Sequence, residues 1–210
     1  MLMSQTFFWN KMARGYAKRP VADPDAYRVK LDKTTEYLNP TDHVLEFGCG
    51  TGTTALIHSS RVAHIDAIDL SSEMIAIAQE KRWDRSIRNV HFQACRFEDW
   101  PTPSPDQAYD AVLGMSILHL VDDLDATLAK VHSCLKPGGL FFSSTICLAD
   151  SRGIDRFILP PLSTLGVLPK IARFKSTQLI DRMSSHGLEV EYSWRPSEGA
   201  AIFVVARRVD

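Results

Sequence analysis

The run Glu46-Phe-Gly48-Cys49-Gly50-Thr-Gly52 places a carboxylate and three glycines within seven positions where an apolar strand gives way to a helix. Glycines at such a turn let the backbone bend tightly and approach a ligand with no Cβ in the way. Glu46 narrows the choice of ligand. A carboxylate at a strand end facing the loop repels pyrophosphate and attracts an ammonium, and the dinucleotide fingerprint G-x-G-x-x-G would need glycine where the chain has Thr53. Asp69 ends the second strand at about the spacing at which an acidic side chain hydrogen-bonds ribose hydroxyls in doubly wound folds. An amino acid joined to a nucleoside satisfies both ends. Further on, His119 in Met115-Ser-Ile-Leu-His119-Leu120 follows the fourth strand at the carboxyl edge of the sheet. An ordinary imidazole pKa of about 6.5 suits proton transfer at neutral pH. His119 is the candidate base, with a bond to nearby backbone as its competing role, while Asp122 and Asp123 suit the start of the next helix.

These groups need a sheet to hold them. Asp23-Pro24 predicts an N-cap and first helical residue, followed by Tyr27, Leu31, Thr34 and Leu38 on one face until Asn39-Pro40. His43–Phe47 reads as a buried strand, Val62–Asp69 as the next, and Asn89–Ala94 as a third after a helix capped by Ser71 or Ser72. Asp110–Met115 is a fourth strand. A helix with Leu124, Leu128, Val131 and Leu135 on one face is closed by Lys136-Pro-Gly-Gly139, and Leu140–Ile146 is a fifth strand. Such alternation predicts a parallel sheet with helices on both faces. Ser176 caps a last helix ending at Gly187, and Leu188–Trp194 with Ala200–Ala206 predict a terminal antiparallel hairpin.

Val44-Leu-Glu-Phe-Gly-Cys-Gly-Thr-Gly52, Ala67-Ile-Asp69-Leu-Ser-Ser-Glu-Met74, Tyr109-Asp-Ala-Val-Leu113 and Leu135-Lys-Pro-Gly-Gly139 together resemble the successive motifs of class I S-adenosylmethionine-dependent methyltransferases. The resemblance covers roughly residues 41 to 148 and 176 to 208, and is closest to the small-molecule branch that includes ubiquinone and menaquinone methyltransferases. It implies an α/β fold with a doubly wound, mostly parallel seven-stranded sheet and one antiparallel strand. It also implies that Glu46, Gly48 and Gly50 surround the methionine part of the cofactor, that Asp69 meets its ribose, and that Leu70 and Met74 pack on adenine. Cys49 and Gly52 of the same loop and Met115 at the fourth strand's end join this set. Where the family often has Gly-Asp-Ala, the chain has Cys95-Arg96-Phe97. The usual acceptor for the adenine amine is therefore missing, which leaves Glu98, Asp99 or a backbone carbonyl to replace it and the Phe97 amide to meet the ring. The segment Phe8-Trp9-Asn10-Lys-Met-Ala13-Arg-Gly-Tyr16 resembles one that covers the cofactor in relatives, with Asn10 in place of aspartate. Tyr16 either closes over cofactor or acceptor or anchors a terminal helix.

Methyl transfer is an in-line displacement in which positioning and exclusion of water supply much of the rate. A base, here His119 with Tyr16 beside it, is needed only where the acceptor must lose a proton. At 210 residues and 45% hydrophobic, one domain is expected, with a helical cover over residues 1–40 and a lid-like insertion over residues 149–175. The insertion's apolar residues from Ile154 to Leu168 would enclose a small, partly apolar acceptor, or else form a homodimer interface. A formal net charge of -1 argues against nucleic acid as the main partner. Lys11, Arg14, Lys18 and Arg19 read first as a solvated face and second as a contact for an acidic substrate. No run reaches the roughly 20 apolar residues of a membrane span, no export signal is seen, and a cytoplasmic location is expected. The four cysteines and seven histidines show no metal-ligand spacing. The alternatives are a non-catalytic S-adenosylmethionine-binding or interaction protein and a nicotinamide-dependent oxidoreductase. Aminopropyl transfer has no acidic polyamine motif to support it.

Overall fold

The computed structural model describes residues 5–150 and 171–210. Seven strands form one sheet: β1 (His43–Phe47), β2 (His64–Asp69), β3 (Val90–Ala94), β4 (Tyr109–Met115), β5 (Leu135–Thr145), β6 (Leu188–Trp194) and β7 (Ile202–Arg208). Their order is β3-β2-β1-β4-β5-β7-β6. The chain winds outward from β1 to β3, then crosses back to β4 beside β1, which opens a crevice above the carboxyl ends of β1 and β4. β7 runs antiparallel to both β5 and β6. The expected doubly wound, mostly parallel sheet with one reversed strand is present.

Period-two alternation along β1 divides its side chains between two cores. Leu45 and Phe47 join a cluster with Leu118, Leu128, Phe141 and Leu179 on one face. Val44 joins Ala55, Phe142 and Phe203 on the other, and Glu46 shares that second face by the same alternation. Burial on both faces is why the strand reads as an unbroken apolar run.

Six helices are described: α1 (Gln5–Ala17), α2 (Pro24–Tyr37), α3 (Thr53–His58), α4 (Ser72–Asp84), α5 (Leu124–Cys134) and α6 (Ser176–Ser185). Asp23 caps α2 by accepting from the Ala26 N–H at 2.9 Å, and Ser71 caps α4 through the Met74 N–H. Two expectations need correction. Leu135 does not end the fifth helix but begins β5 and pairs with Tyr109, so Lys136-Pro-Gly-Gly139 lies within that strand opposite a register shift. Leu135 is already extended, at φ -82° and ψ 149°, and Pro137 keeps the next residue, Lys136, extended as well, because a residue that precedes proline is pushed from helical to extended backbone. Lys175, not Ser176, occupies the N-cap of α6, where its N–H donates to Gln178 Oε1, while the Ser176 N–H donates to Asp150 Oδ2. On α2 the expected face is present, with Thr34 and Leu38 buried and Tyr27 and Leu31 half-buried, and Lys30 is half-buried beside them. The expected lid residues from Ile154 to Leu168 lie outside the described residues.

Candidate functional site

The glycine loop is held from beneath by Asp69. Its Oδ2 accepts from the Gly50 N–H and its Oδ1 from the Ser71 N–H, both at 2.9 Å, while the Cys49 N–H donates to the Ile68 carbonyl. One carboxylate at the end of β2 thus ties the loop after β1 to the start of α4. Gly50 and Gly52 both have left-handed backbone, at φ +54° and +71°, but they serve different ends. A Cβ on Gly50 would meet nothing within 4 Å, whereas one on Gly52 would lie 2.5 Å from the Phe92 ring and 2.8 Å from Ala78 Cβ. Gly50 keeps a space open, and Gly52 lets α3 pack on the sheet. Gly52→Ala is therefore expected to cost about 2–4 kcal/mol of stability from left-handed strain plus overpacking. Urea denaturation of the variant checks this, and an unchanged midpoint would remove the packing role.

Glu46, at the end of β1, lines the same cavity as Gly50. It is 2% exposed, takes a backbone hydrogen bond from Ala55, and leaves Oε2 with no hydrogen-bond partner. Burial pushes its pKa up to about 8, the nearby Asp69 charge adds to the rise, and the Ala55 amide opposes it. Burial also raises the pKa of Asp69 against the pull of the Ser71 and Gly50 amides. A buried carboxyl with one idle oxygen, facing a cradle that a side chain would fill, fits an ammonium and does not fit a phosphate.

Two cavities meet over this loop. The first, about 110 Å³, is walled by Asp69, Leu70, Met74, Phe97 and Glu98, with Cys95, Arg96 and Trp9 beside them. Phe97 stacks on Phe47 at 4.1 Å between ring centroids, which fixes it as a back wall. The second, about 560 Å³, runs past Glu46, Cys49 and Thr51 to Tyr27, Lys30 and Ser144. Tyr16, Gly48, Gly50, Met115 and Ser116 line both cavities and so mark their junction. Helix α1 lies across the top. Asn10 Oδ1 accepts from Ser71 Oγ at 2.7 Å and Gln5 Nε2 donates to the Leu120 carbonyl, which brings Trp9 and Tyr16, packed edge to face, over the junction.

Two residues expected in the site stand apart from it. Gly52 lines neither cavity, for the packing reason given above. His119 also lines neither cavity. Burial pushes its pKa down to about 4, its Nδ1 has no partner among the described residues, and its carbonyl accepts from the Ala172 N–H. The structure adds residues that the motifs do not contain. Ser116 has a left-handed backbone at φ +61°, with its N–H donating to the Ser144 carbonyl at 2.7 Å. Such a conformation in a residue other than glycine leaves no mark in the sequence. Tyr27 and Lys30 could have been found, since residues three apart on a helix share a face. Among the described residues, no cluster of histidine, cysteine and carboxylate side chains could hold a metal, and no helix is long and apolar enough to cross a membrane.

Residues 44–139 match the family described as a methyltransferase domain. Over 126 residues the chain is 29% identical to a demethylmenaquinone methyltransferase of Symbiobacterium thermophilum, covering 58% of this chain and 48% of that protein. It is 31% identical over 103 residues to a ubiquinone biosynthesis O-methyltransferase of Aeromonas salmonicida, covering 49% and 42% respectively. The chain thus spans about half the length of the curated relatives it matches. Among solved structures, an S-adenosylmethionine dependent methyltransferase from Mesorhizobium loti aligns with a TM-score of 0.71 at 20% identity, over 87% of this chain and 98% of that one. That alignment establishes the fold.

Proposed function

We propose that the chain is a class I S-adenosylmethionine-dependent methyltransferase, a reading supported by the methyltransferase domain matched at residues 44–139 and by the order of its sheet, and that it moves a methyl group to a small, partly apolar acceptor. The observation that carries the reading is the idle Glu46 oxygen beside the open space at Gly50. Glu46 would hold the cofactor's ammonium and Asp69 its ribose, with Leu70, Met74 and Phe97 enclosing adenine in the first cavity. Glu98, which lines that cavity as Asp99 does not, takes the place of the missing acceptor for the adenine amine. When bound, S-adenosylmethionine supplies a sulfonium methyl group open to in-line attack.

The protein's own contribution is to orient and to exclude water. Tyr16, Met115 and Ser116 border the junction where the two cavities meet, and the reacting atoms belong there. Rate then comes from proximity in a closed space. His119 is neutral from about pH 4 upward and does not border the junction. His119→Ala is accordingly expected to keep turnover within about threefold and to leave the pH profile above 5 unchanged. A loss of a hundredfold or more at constant cofactor affinity would return the base role to His119.

Catalysis itself is tested by incubating the protein with methyl-labelled S-adenosylmethionine and a small-molecule cell extract. Label is expected in one or a few products. Tight binding of S-adenosylhomocysteine with no labelled product would favour the non-catalytic binding protein instead.

A further inference from the structure

The second cavity continues away from the glycine loop, across the sheet face that carries Glu46, to an end formed by α2, Ser144 of β5 and the link between β6 and β7. Lys30 stands at this end. Its Nζ donates to Ser144 Oγ at 2.9 Å, and Ser144 is itself buried. Among the described residues Lys30 forms no salt bridge, and that neutral hydroxyl is the one hydrogen-bond partner of its ammonium. Burial lowers the lysine's pKa and the charge of Asp23 opposes the fall, but the Asp23 carboxylate is already engaged in capping α2. A half-buried ammonium without a carboxylate is costly to keep.

The other charged groups on the walls sharpen this. Arg19, Lys30 and Lys81 face the cavity, against Asp23 and Glu46. Lys81 is occupied by the carbonyl and hydroxyl of Thr51, and Glu46 is the partner for the cofactor's ammonium. Arg19 and Lys30 remain for an anion. Pro196, Ala200 and Ala201 add small apolar walls beside Lys30.

The strand register favours an anion other than the cofactor's own carboxylate. Glu46 is in register with Leu113, and Met115 with Ser144. The Cα atoms of Glu46 and Ser144 are therefore two strands apart and offset by two residues, about 12 Å at standard strand spacing and rise. The ammonium and carboxylate of one amino-acid group lie closer together than these two strand positions, which favours a second molecule at the Lys30 end.

We propose that the Lys30 end of the cavity, with Ser144 beside it, anchors a carboxylate of the methyl acceptor, which makes the substrate class small carboxylic acids. The inference rests on the methyl-transfer reading above. Lys30 fixes one end of the acceptor while the reacting atom reaches the junction at Met115 and Ser116.

The test uses protein saturated with S-adenosylhomocysteine, after titration has shown that this ligand binds. Acetate, butyrate and benzoate are then titrated against acetamide, butyramide and benzamide, with ligand-observed NMR as readout. At least one carboxylate is expected to bind about tenfold or more tighter than its amide, since only the acid pairs with the ammonium. Lys30→Gln is expected to remove that preference and leave S-adenosylhomocysteine affinity unchanged, and Lys30→Arg to retain the preference. Equal binding of acids and amides, or no binding of any acid, overturns the proposal without recourse to a variant. A Lys30→Gln protein that loses cofactor affinity instead assigns the cation to the cofactor and likewise overturns it. Failure of the wild type to bind S-adenosylhomocysteine at all is a separate result, which removes the methyl-transfer premise and the proposal with it.

Discussion

Gly50→Val is expected to lower affinity for S-adenosylhomocysteine by at least about a hundredfold while the protein still folds, because the new side chain enters the ligand's space and not the core. A Cβ at this position touches no protein atom within 4 Å, and the residue borders both cavities. The penalty to folding is the left-handed backbone at φ +54°, worth about 1–2 kcal/mol and somewhat more for a β-branched residue. Gly52→Ala reverses the pattern, with stability lost through Phe92 and the ligand contacts untouched. The pair separates cradle from packing within one loop. Calorimetric titration and urea denaturation of both variants check it, and wild-type affinity in a folded Gly50→Val protein would place the ligand elsewhere.

Glu46→Gln is expected to weaken S-adenosylhomocysteine binding by a hundredfold or more and yet to stabilise the unliganded protein above neutral pH. Removing one partner of a buried charge pair costs about 2–5 kcal/mol, which sets the first effect. The second follows from linkage. Glu46 has a folded pKa of about 8 against an ordinary 4.5, so the folded state holds a proton that the unfolded state has lost. The stabilisation from that proton is complete below pH 4.5 and disappears as pH rises through 8. His58 and His119, both pushed down to about 4 by burial, act in the opposite sense, with stability lost as pH falls from 6.5 through 4. The interval from pH 6.5 to 8 therefore belongs to Glu46. Across it the unliganded wild type is expected to lose about 2 kcal/mol, and Glu46→Gln to stay nearly level. Urea midpoints at pH 6.5 and 8 report the difference, and parallel behaviour of the two proteins would show that Glu46 is not protonated in the empty site.

What the sequence reveals here is what lies close together along the chain. The loop glycines, Glu46 and Asp69 each sit at the end of an apolar run, so strand ends and turn chemistry identify them before any packing is known. Alternation predicts a parallel sheet with helices on both faces, and the structure supplies the order of its strands. What escapes is set by register between distant strands and by backbone angle. Lys30 reaches Ser144 across 114 positions of sequence, and only the pairing of β5 with β4 brings that serine to the site. Ser116 owes its place to a left-handed turn that no residue type announces. Its position after β4 marks His119 as a candidate base, but position along a strand edge does not decide whether a side chain borders the cavities, and His119 borders neither.

We propose that Glu46 waits as a neutral acid in the cradle and pairs, once ionised, with the ammonium of an S-adenosyl amino acid. S-adenosylhomocysteine titrated into the protein at pH 7, in two buffers of different ionisation enthalpy, tests it directly. Binding is expected with release of close to one proton per site, and with no such release from Glu46→Gln, because a carboxyl with pKa about 8 must give up its proton to meet the ammonium. Binding with no proton exchanged in the wild type, or no binding at all, would contradict it.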